Sequence, residues 1–103
     1  MSVIVNISLF PVDKGESLSE YVAHALRVIR ESGLPFIEGP MGTSVEGEWD
    51  EVNRVVSGCF HAVEAVSSRV YMVTTYDYRE GKSGRLQQKM DSVASRLKEQ
   101  NIP

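Results

Sequence analysis

The feature that most restricts the fold of this 103-residue chain is a regular switch between two hydrophobic periods. Residues 3–10, VIVNISLF, alternate apolar and mixed side chains with a period of two, as a half-buried β-strand does. Further along, apolar residues recur at helical steps of three and four, at Val52, Val56, Cys59, Val63 and Val66. A chain that switches period in this way is expected to pack helices against a sheet.

Turn and capping signals place the boundaries of the elements. Ser17 and Glu20 have the spacing of a capping box, Gly33 supplies a left-handed position at a helix end, and Pro35 prevents the helix from continuing. A second helix opens at Trp49, and Ser67 turns the chain after it. The predicted elements are strands at 3–10, 36–38, 43–47 and 69–77, helices at about 17–32 and from 49 to 66, and a third helix whose stripe is Leu86, Met90, Val93 and Leu97.

The resulting order is β-α-β-β-α-β with one additional C-terminal helix. Two right-handed crossovers joined by a hairpin predict the α+β class and a ferredoxin-like split β-α-β-β-α-β sandwich. The length fits a single domain over 1–103. The first and third strands should lie in the middle of the sheet, with both crossover helices on one face.

The opposite sheet surface, called the open face below, is then left without a cover. Strand periodicity places Asn6, Ser8 and Phe10 there, together with Ser44, Glu46 and Glu48. From the fourth strand we expect Met72, Thr74 and Tyr76, although Tyr71, Val73 and Thr75 are the alternative. A surface of this size with aromatic residues on it calls for a cover. Another subunit and the apolar stripe of the third helix are the two candidates.

The two carboxylates of the segment GPMGTSVEGEW, residues 39–49, can be interpreted in three ways. Glu46 and Glu48 could be a catalytic acid and base, Glu46 could contact a ligand, or both could line a solvated strand edge, with Glu48 starting the next helix. A phosphate loop is disfavoured, because no lysine follows the glycines and the loop enters a strand. The glycines and proline are typical of a tight turn.

Other features narrow the function classes. A net charge of −3 disfavours nucleic acid as a partner, and the absence of an 18-residue apolar run disfavours a membrane span. Cys59 is the only cysteine and His24 and His61 lie on different helices, so neither a CxxC pair nor a metal site is expected. We find no signal peptide and no base–nucleophile pair, so a cytoplasmic protein that is not an enzyme is predicted. One basic loop could hold an anion through Arg79, Lys82 and Arg85.

Three segments together resemble the thiamine-binding protein family, once known only as a domain of unknown function: FPVDKGESLSEYV, ESGLPFIEGPMGTSVEGEWDEV and YDYREGK. The resemblance extends over about residues 3–98, and its most specific part is the hairpin segment 39–52. It implies a ferredoxin-like subunit that dimerises through open faces and then forms a tetramer, a dimer of dimers. It also implies that thiamine or its hydroxymethylpyrimidine binds between subunits near the hairpin, with no chemistry performed.

The resemblance carries over to Thr43, Ser44 and Glu46, which match the polar strand of the family. Their hydroxyl and carboxylate groups suit an aminopyrimidine, and an aromatic side chain suits the thiazolium cation. No diphosphate and Mg²⁺ site is recognisable. We therefore expect the free vitamin as the ligand, and we expect no cofactor. The alternative is an oligomeric regulatory or protein-interaction module. The predicted ligand-binding residues are Asn6, Ser8, Phe10, Thr43, Ser44, Glu46 and Tyr76, with no catalytic and no metal-binding residue.

Overall fold

The computed structural model of the protein describes residues 2–13 and 19–100. The predicted order of elements is confirmed, whereas the predicted capping box at Ser17 lies outside the described residues. Gly33 has a φ of 78°, so the left-handed position after the first helix is also confirmed. The elements are β1 (Val3–Pro11), α1 (Ser19–Glu31), β2 (Phe36–Glu38), β3 (Thr43–Gly47), α2 (Trp49–Glu64), β4 (Val70–Tyr78) and α3 (Arg85–Glu99).

The four strands form one antiparallel sheet in the order β2-β3-β1-β4. The first and third strands therefore lie in the middle, as predicted. Val5 at the centre of β1 stands opposite Val45 of β3 and Tyr76 of β4. Opposed residues of antiparallel strands point to the same face, so this register assigns every strand residue to the helix side or to the open face.

The core lies between the sheet and helices α1 and α2. Every second residue of β1 points into it, and Val5 and Val45 are fully buried beside Ile29 and Val52 from the helices. The period of two that begins the sequence is therefore the period of burial. The members of this cluster are Val3, Val5, Ile7, Leu9, Ala25, Ile29, Val45, Val52, Val55, Cys59 and Val63.

Helices α1 and α2 approach each other closely where α2 has a glycine. A Cβ added at Gly58 would lie 2.8 Å from Cγ1 of Val28. In the same contact the Cys59 thiol donates to the carbonyl oxygen of Ala25 at 3.5 Å. Burial raises the pKa of Cys59 to about 11, so the thiol is a small packing group, as its place in the helical stripe suggested.

The predicted orientation of the fourth strand is wrong. Thr75 stands opposite Asn6 and Val73 opposite Ser8, so it is the alternative set, with Tyr71, that shares the open face. Met72, Thr74 and Tyr76 point to the helix side. The sequence could not decide, because β4 carries aromatic and β-branched side chains at both alternations and gives no period-two contrast.

Helix α3 covers only one end of the open face. Leu86 in its first turn is buried, but Met90 and Val93 are about half exposed, at 51% and 55%. The prediction that the α3 stripe could cover the open face is therefore wrong beyond this first turn. No helix in the described part of the chain is long and apolar enough to cross a membrane.

Candidate functional site

A cavity of about 570 Å³ lies between α1, β1 and the hairpin that joins β2 to β3. Its wall is mainly apolar, with Leu9, Phe10 and Leu26 among the lining residues. The polar residues that line it are Ser8, Glu38 and Thr43, of which the Ser8 side chain alternates to the open face. A predominantly apolar cavity of this size with few polar groups is typical of a small-molecule site.

The hairpin at the cavity is a tight turn, as its glycines and proline predicted. The amide of Gly39 donates to the carbonyl oxygen of Gly42 at 2.9 Å. A Cβ added at Gly42 would lie 2.8 Å from Nδ2 of Asn6 and 3.1 Å from the carbonyl oxygen of Ile7. Only glycine lets the turn approach β1 this closely. The turn therefore brings the backbone of residues 39–42 against the middle of β1, at Asn6 and Ile7, and closes one side of the cavity.

An ion pair at the cavity wall was missed by the sequence analysis. Arg30, in the last turn of α1, donates from Nε to Oε1 of Glu38 at 2.6 Å and from Nη2 to Oε2 at 2.9 Å. The hydrogen bonds from Arg30 hold the pKa of Glu38 below its ordinary value. The pairing depends on how α1 crosses β2, which no local pattern in the sequence reveals. It joins the helix to the strand beside the hairpin.

Glu46 is buried, with 4% of its surface exposed, and its carboxylate has three donors. Ser2 donates from Oγ to Oε2 at 2.5 Å, the amide of Arg85 donates to Oε2 at 3.0 Å and the amide of Leu86 donates to Oε1 at 3.1 Å. Glu46 therefore binds the free amides at the start of α3 and fixes that helix to the sheet.

The environment of Glu46 favours the ionised carboxylate. Burial by itself acts to raise the pKa of Glu46. The hydrogen bonds from Ser2, Leu86 and Arg85, with the charge of Arg85, outweigh that effect and bring the pKa below its ordinary value. A buried carboxylate is tolerated here because its hydrogen bonds are supplied.

A second ionic contact holds the same end of α3. The buried side chain of Arg85 donates from Nη1 to Oδ2 of Asp77 at 3.0 Å and from Nη2 to the Asp77 carbonyl oxygen at 2.7 Å. Lys89 donates to the same Oδ2 at 2.6 Å. The hydrogen bonds from Lys89 and then Arg85 lower the pKa of Asp77. The predicted anion loop therefore has its first helix amides and Arg85 already bound to carboxylates of this chain.

The predicted ligand-binding residues do not all lie together. Asn6, Ser8, Phe10, Ser44 and Glu46 share the open face, where the Ser44 hydroxyl donates to Oδ1 of Asn6 at 3.2 Å. Thr43 points the other way, opposite Ile7, and is buried at the cavity.

Tyr76 is separated from that group by the sheet, so its placement on the open face is wrong. Its hydroxyl donates to Oδ1 of Asn53 on α2 at 2.6 Å. Its ring lies 5.0 Å from that of Trp49, centroid to centroid. The cause is the orientation of β4 described above.

Glu48 starts α2 and forms no pair with Glu46. It is the N-cap residue, and it forms a capping box with Glu51, whose Oε1 accepts from the Glu48 amide at 2.9 Å. The helix-start reading of Glu48 is therefore confirmed. The reading of the two glutamates as one catalytic pair has no geometric support, because one caps α3 and the other caps α2. Within residues 2–13 and 19–100, no group of three His, Cys, Asp or Glu side chains could hold a metal ion.

Comparison with known proteins decides the family of the chain. The family model for thiamine-binding proteins matches residues 5–94. The chain belongs to the thiamine-binding protein family. Among the curated relatives of this family member is the UPF0045 protein Mb1933 of Mycobacterium bovis, which is 42% identical over 94 residues, covering 90% of this chain and 92% of the relative.

Solved structures show that this family member shares its fold with archaeal and bacterial proteins. Protein MJ1052 of Methanocaldococcus jannaschii superposes with a TM-score of 0.83 at 28% identity, covering 90% of this chain and 96% of that one. Protein TM0486 of Thermotoga maritima superposes with a TM-score of 0.81 at 26% identity, covering 90% and 99%. The α+β assignment made from periodicity is therefore confirmed for nearly the whole chain.

Proposed function

We propose that this protein binds thiamine or a related aminopyrimidine without transforming it, in the cavity between α1, β1 and the β2–β3 hairpin. Membership of the thiamine-binding protein family supports the class of ligand. The similar Thermotoga maritima protein carries a provisional assignment to thiamine biosynthesis or salvage, which points to the same class. The observation that carries the location is the apolar cavity of about 570 Å³ beside the hairpin.

The lining of the cavity suits the two rings of the ligand. An aminopyrimidine offers an amine donor and ring nitrogens, and Thr43 supplies a hydroxyl that can donate or accept. The thiazolium carries a positive charge, and Glu38 places a carboxylate on the cavity wall. The ring of Phe10 lies on the open face, 5.6 Å from that of Tyr71, so its contact with the ligand stays a prediction.

The proposal includes a homo-oligomer whose subunits meet near this site. Met41 at the tip of the hairpin is 85% exposed, and the open face displays Tyr71 at 54% and Val73 at 45%. On the open face, the rings of Phe10 and Tyr71 lie 5.6 Å apart, and contiguous exposed apolar side chains of this kind mark an interaction surface. A dimer of dimers formed through open faces, with a second chain approaching the hairpin, accounts for them. Direct contact of Asn6, Ser44 or Glu46 with the ligand stays a prediction. Binding in the cavity does not depend on it, because these residues lie on the open face.

An interaction module with a protein partner is the second candidate. The exposed α3 residues Met90, Val93 and Leu97 favour it, because they form an apolar stripe that nothing in the described chain covers. The two candidates differ in whether the purified protein, with no partner present, takes up thiamine.

Isothermal titration of the full chain with thiamine tests the proposal. Val22 is half-buried and lines the cavity, whereas its neighbour Ala23 is exposed on the outer side of α1. We expect saturable heat with the unmodified chain, and a Kd raised at least about tenfold in Val22→Trp, because the indole fills space that the ligand needs. Ala23→Trp is the matched control, and its Kd should not change.

Two results would count against the proposal. No heat at millimolar thiamine in folded protein would remove thiamine as the ligand and favour the interaction module. Equal Kd values in Val22→Trp and the unmodified chain would remove the cavity as the site. Circular dichroism and a thermal melt of both variants separate loss of binding from loss of fold.

A further inference from the structure

One acidic side chain lies on the wall of the cavity proposed above as the ligand site. Among the described residues that line this cavity, Glu38 alone carries a charge at neutral pH, and most of the others are apolar. The Glu38 side chain is 29% exposed, so much of it is shielded from solvent. A charge beside a poorly hydrated wall acts on a ligand more strongly than the same charge does in bulk water.

The strand register turns the Glu38 side chain towards the cavity. Glu38 of β2 stands opposite Thr43 of β3, which stands opposite Ile7 of β1. Opposed residues point to the same face, so all three side chains point to the helix side, where the cavity lies. Opposed Cβ atoms lie about 4.5–5.5 Å apart. The Glu38 carboxylate and the Thr43 hydroxyl therefore form one polar end of a mainly apolar cavity.

Arg30 fixes the orientation of the Glu38 carboxylate from outside the cavity. It binds both carboxylate oxygens, at 2.6 and 2.9 Å, but its side chain is 62% exposed and does not line the cavity. A carboxylate has about four acceptor positions, so each oxygen keeps one for a ligand while Arg30 occupies the other. The same hydrogen bonds lower the pKa of Glu38, so the carboxylate is charged at neutral pH.

We propose that Glu38 makes this cavity selective for a ligand that carries a positive charge and no phosphate, with Arg30 as its positioning residue. The inference rests on the function proposed above, and it concerns the choice among related ligands. A thiazolium at the polar end of the cavity is attracted by the carboxylate, whereas a neutral aminopyrimidine gains hydrogen bonds only. A phosphate would bring a like charge close to Glu38. Selectivity is the difference between these affinities, so both the attraction and the repulsion contribute to it.

Three probes test the selectivity. Isothermal titration of the full chain at neutral pH gives a Kd for thiamine, for neutral hydroxymethylpyrimidine and for thiamine monophosphate, and the unmodified chain should bind thiamine most tightly. Glu38→Gln keeps the size of the side chain and removes its charge. The Kd for thiamine should therefore rise at least about tenfold, while that for the neutral pyrimidine stays within about twofold. The difference between thiamine and its monophosphate should narrow in the same variant.

Two control variants separate the charge at the wall from other effects. Glu31→Gln removes the same charge from an exposed residue of α1 that does not line the cavity, so all three Kd values should stay unchanged. Arg30→Gln breaks the ion pair but leaves the carboxylate at the wall, so the preference for thiamine should persist or increase. A thermal melt checks that each variant is folded.

The results distinguish this inference from the proposed function. If Val22→Trp weakens thiamine binding but Glu38→Gln leaves the ratio of the thiamine and pyrimidine Kd values unchanged, the cavity is the site and the inference is wrong. An equal loss of preference in Arg30→Gln would also overturn it, because the ion pair would then act through the fold.

The unmodified chain decides without any variant as well. Tighter binding of thiamine monophosphate than of thiamine would overturn the inference alone, and no binding of thiamine would overturn both proposals. Loss of the preference for thiamine in Glu38→Gln, with the preference retained in Glu31→Gln and Arg30→Gln, would establish it.

Discussion

Single residues decide how closely the elements of this protein approach one another. Glycine at 42 lets the hairpin approach β1, and glycine at 58 lets α2 approach α1. In both places an added methyl group would stand less than 3 Å from an atom of another element. The position at 58 gives the sharper test, because it lies inside a helix, where glycine is otherwise unfavourable.

Gly58→Ala should destabilise the protein. Helix propensity alone favours alanine over glycine by about 1 kcal/mol. Overpacking against Val28 costs about 1–3 kcal/mol, and the clash should therefore outweigh the gain. Urea unfolding measures the difference, with Ser57→Ala as the neighbouring exposed control. An unfolding free energy for Gly58→Ala equal to or above that of the unmodified chain would show that α1 moves away at little cost.

At the scale of elements, α3 is attached through its first turn. Glu46 binds two amides at its start, and Arg85 reaches back to Asp77 on β4. The remainder of the helix is exposed. The position of α3 relative to the sheet therefore depends on a few polar contacts rather than on apolar burial.

Glu46→Gln should loosen this attachment. The amide group keeps the size of the side chain, but it loses the charge and turns one acceptor into a donor that faces other donors. The cost is about 1.5–3 kcal/mol, the contribution of hydrogen bonds to a charged group. Hydrogen exchange reports this loss locally. In Glu46→Gln the amides of Arg85 and Leu86 should exchange faster than in the unmodified chain, whereas the amides of the β1 core should not. Unchanged protection at both amides would mean that the carboxylate does not hold the helix.

Acid should release α3 for the same reason. The pKa of Glu46 and that of Asp77 both lie below their ordinary values in the folded chain. Such groups stabilise the fold fully above their ordinary pKa, and the contribution is lost as the pH falls towards the folded-state value. Neutral pH should therefore leave α3 attached, and loss should begin only below about pH 4.5, the ordinary value for glutamate. Amide spectra recorded from pH 7 to pH 3 follow it, and loss of the Leu86 contact above pH 5 would contradict this assignment.

Periodicity predicted elements wherever one face is buried and the other is not. β1 and α2 have that contrast, so their extents could be read from the sequence to within a few residues, although Val55 rather than the predicted Val56 is buried in α2. β4 lacks it, since Tyr71 and Met72 point to opposite faces and both are apolar. The orientation of β4, and with it the position of Tyr76, could be obtained only from the pairing with β1.

Less of the candidate site than of the fold could be predicted from the sequence. The sequence singles out Glu46 as a candidate ligand contact, but it does not reveal its partners, a serine 44 positions away and two amides 39 and 40 positions away. Glu38 and Arg30 were missed, because each is ordinary for its own element and only the crossing of α1 over the sheet joins them. Contacts between residues distant in the chain leave no local pattern.

At the scale of the whole molecule, two surfaces have a proposed role. We propose that the cavity takes the ligand and that the open face and hairpin tip meet a second chain. The principal extents of 47 × 33 × 20 Å describe an elongated subunit, in keeping with a helix α3 that is exposed beyond its first turn.

The most direct measurement of the central claim is a titration of isotope-labelled protein with thiamine, followed by amide chemical shifts. We predict saturable shifts concentrated at the cavity wall, in residues 7–10, 22–29 and 38–43, with little change along 86–99. Shifts confined to residues 71–77 on β4, or no saturable shift at millimolar thiamine, would contradict a thiamine site in this cavity.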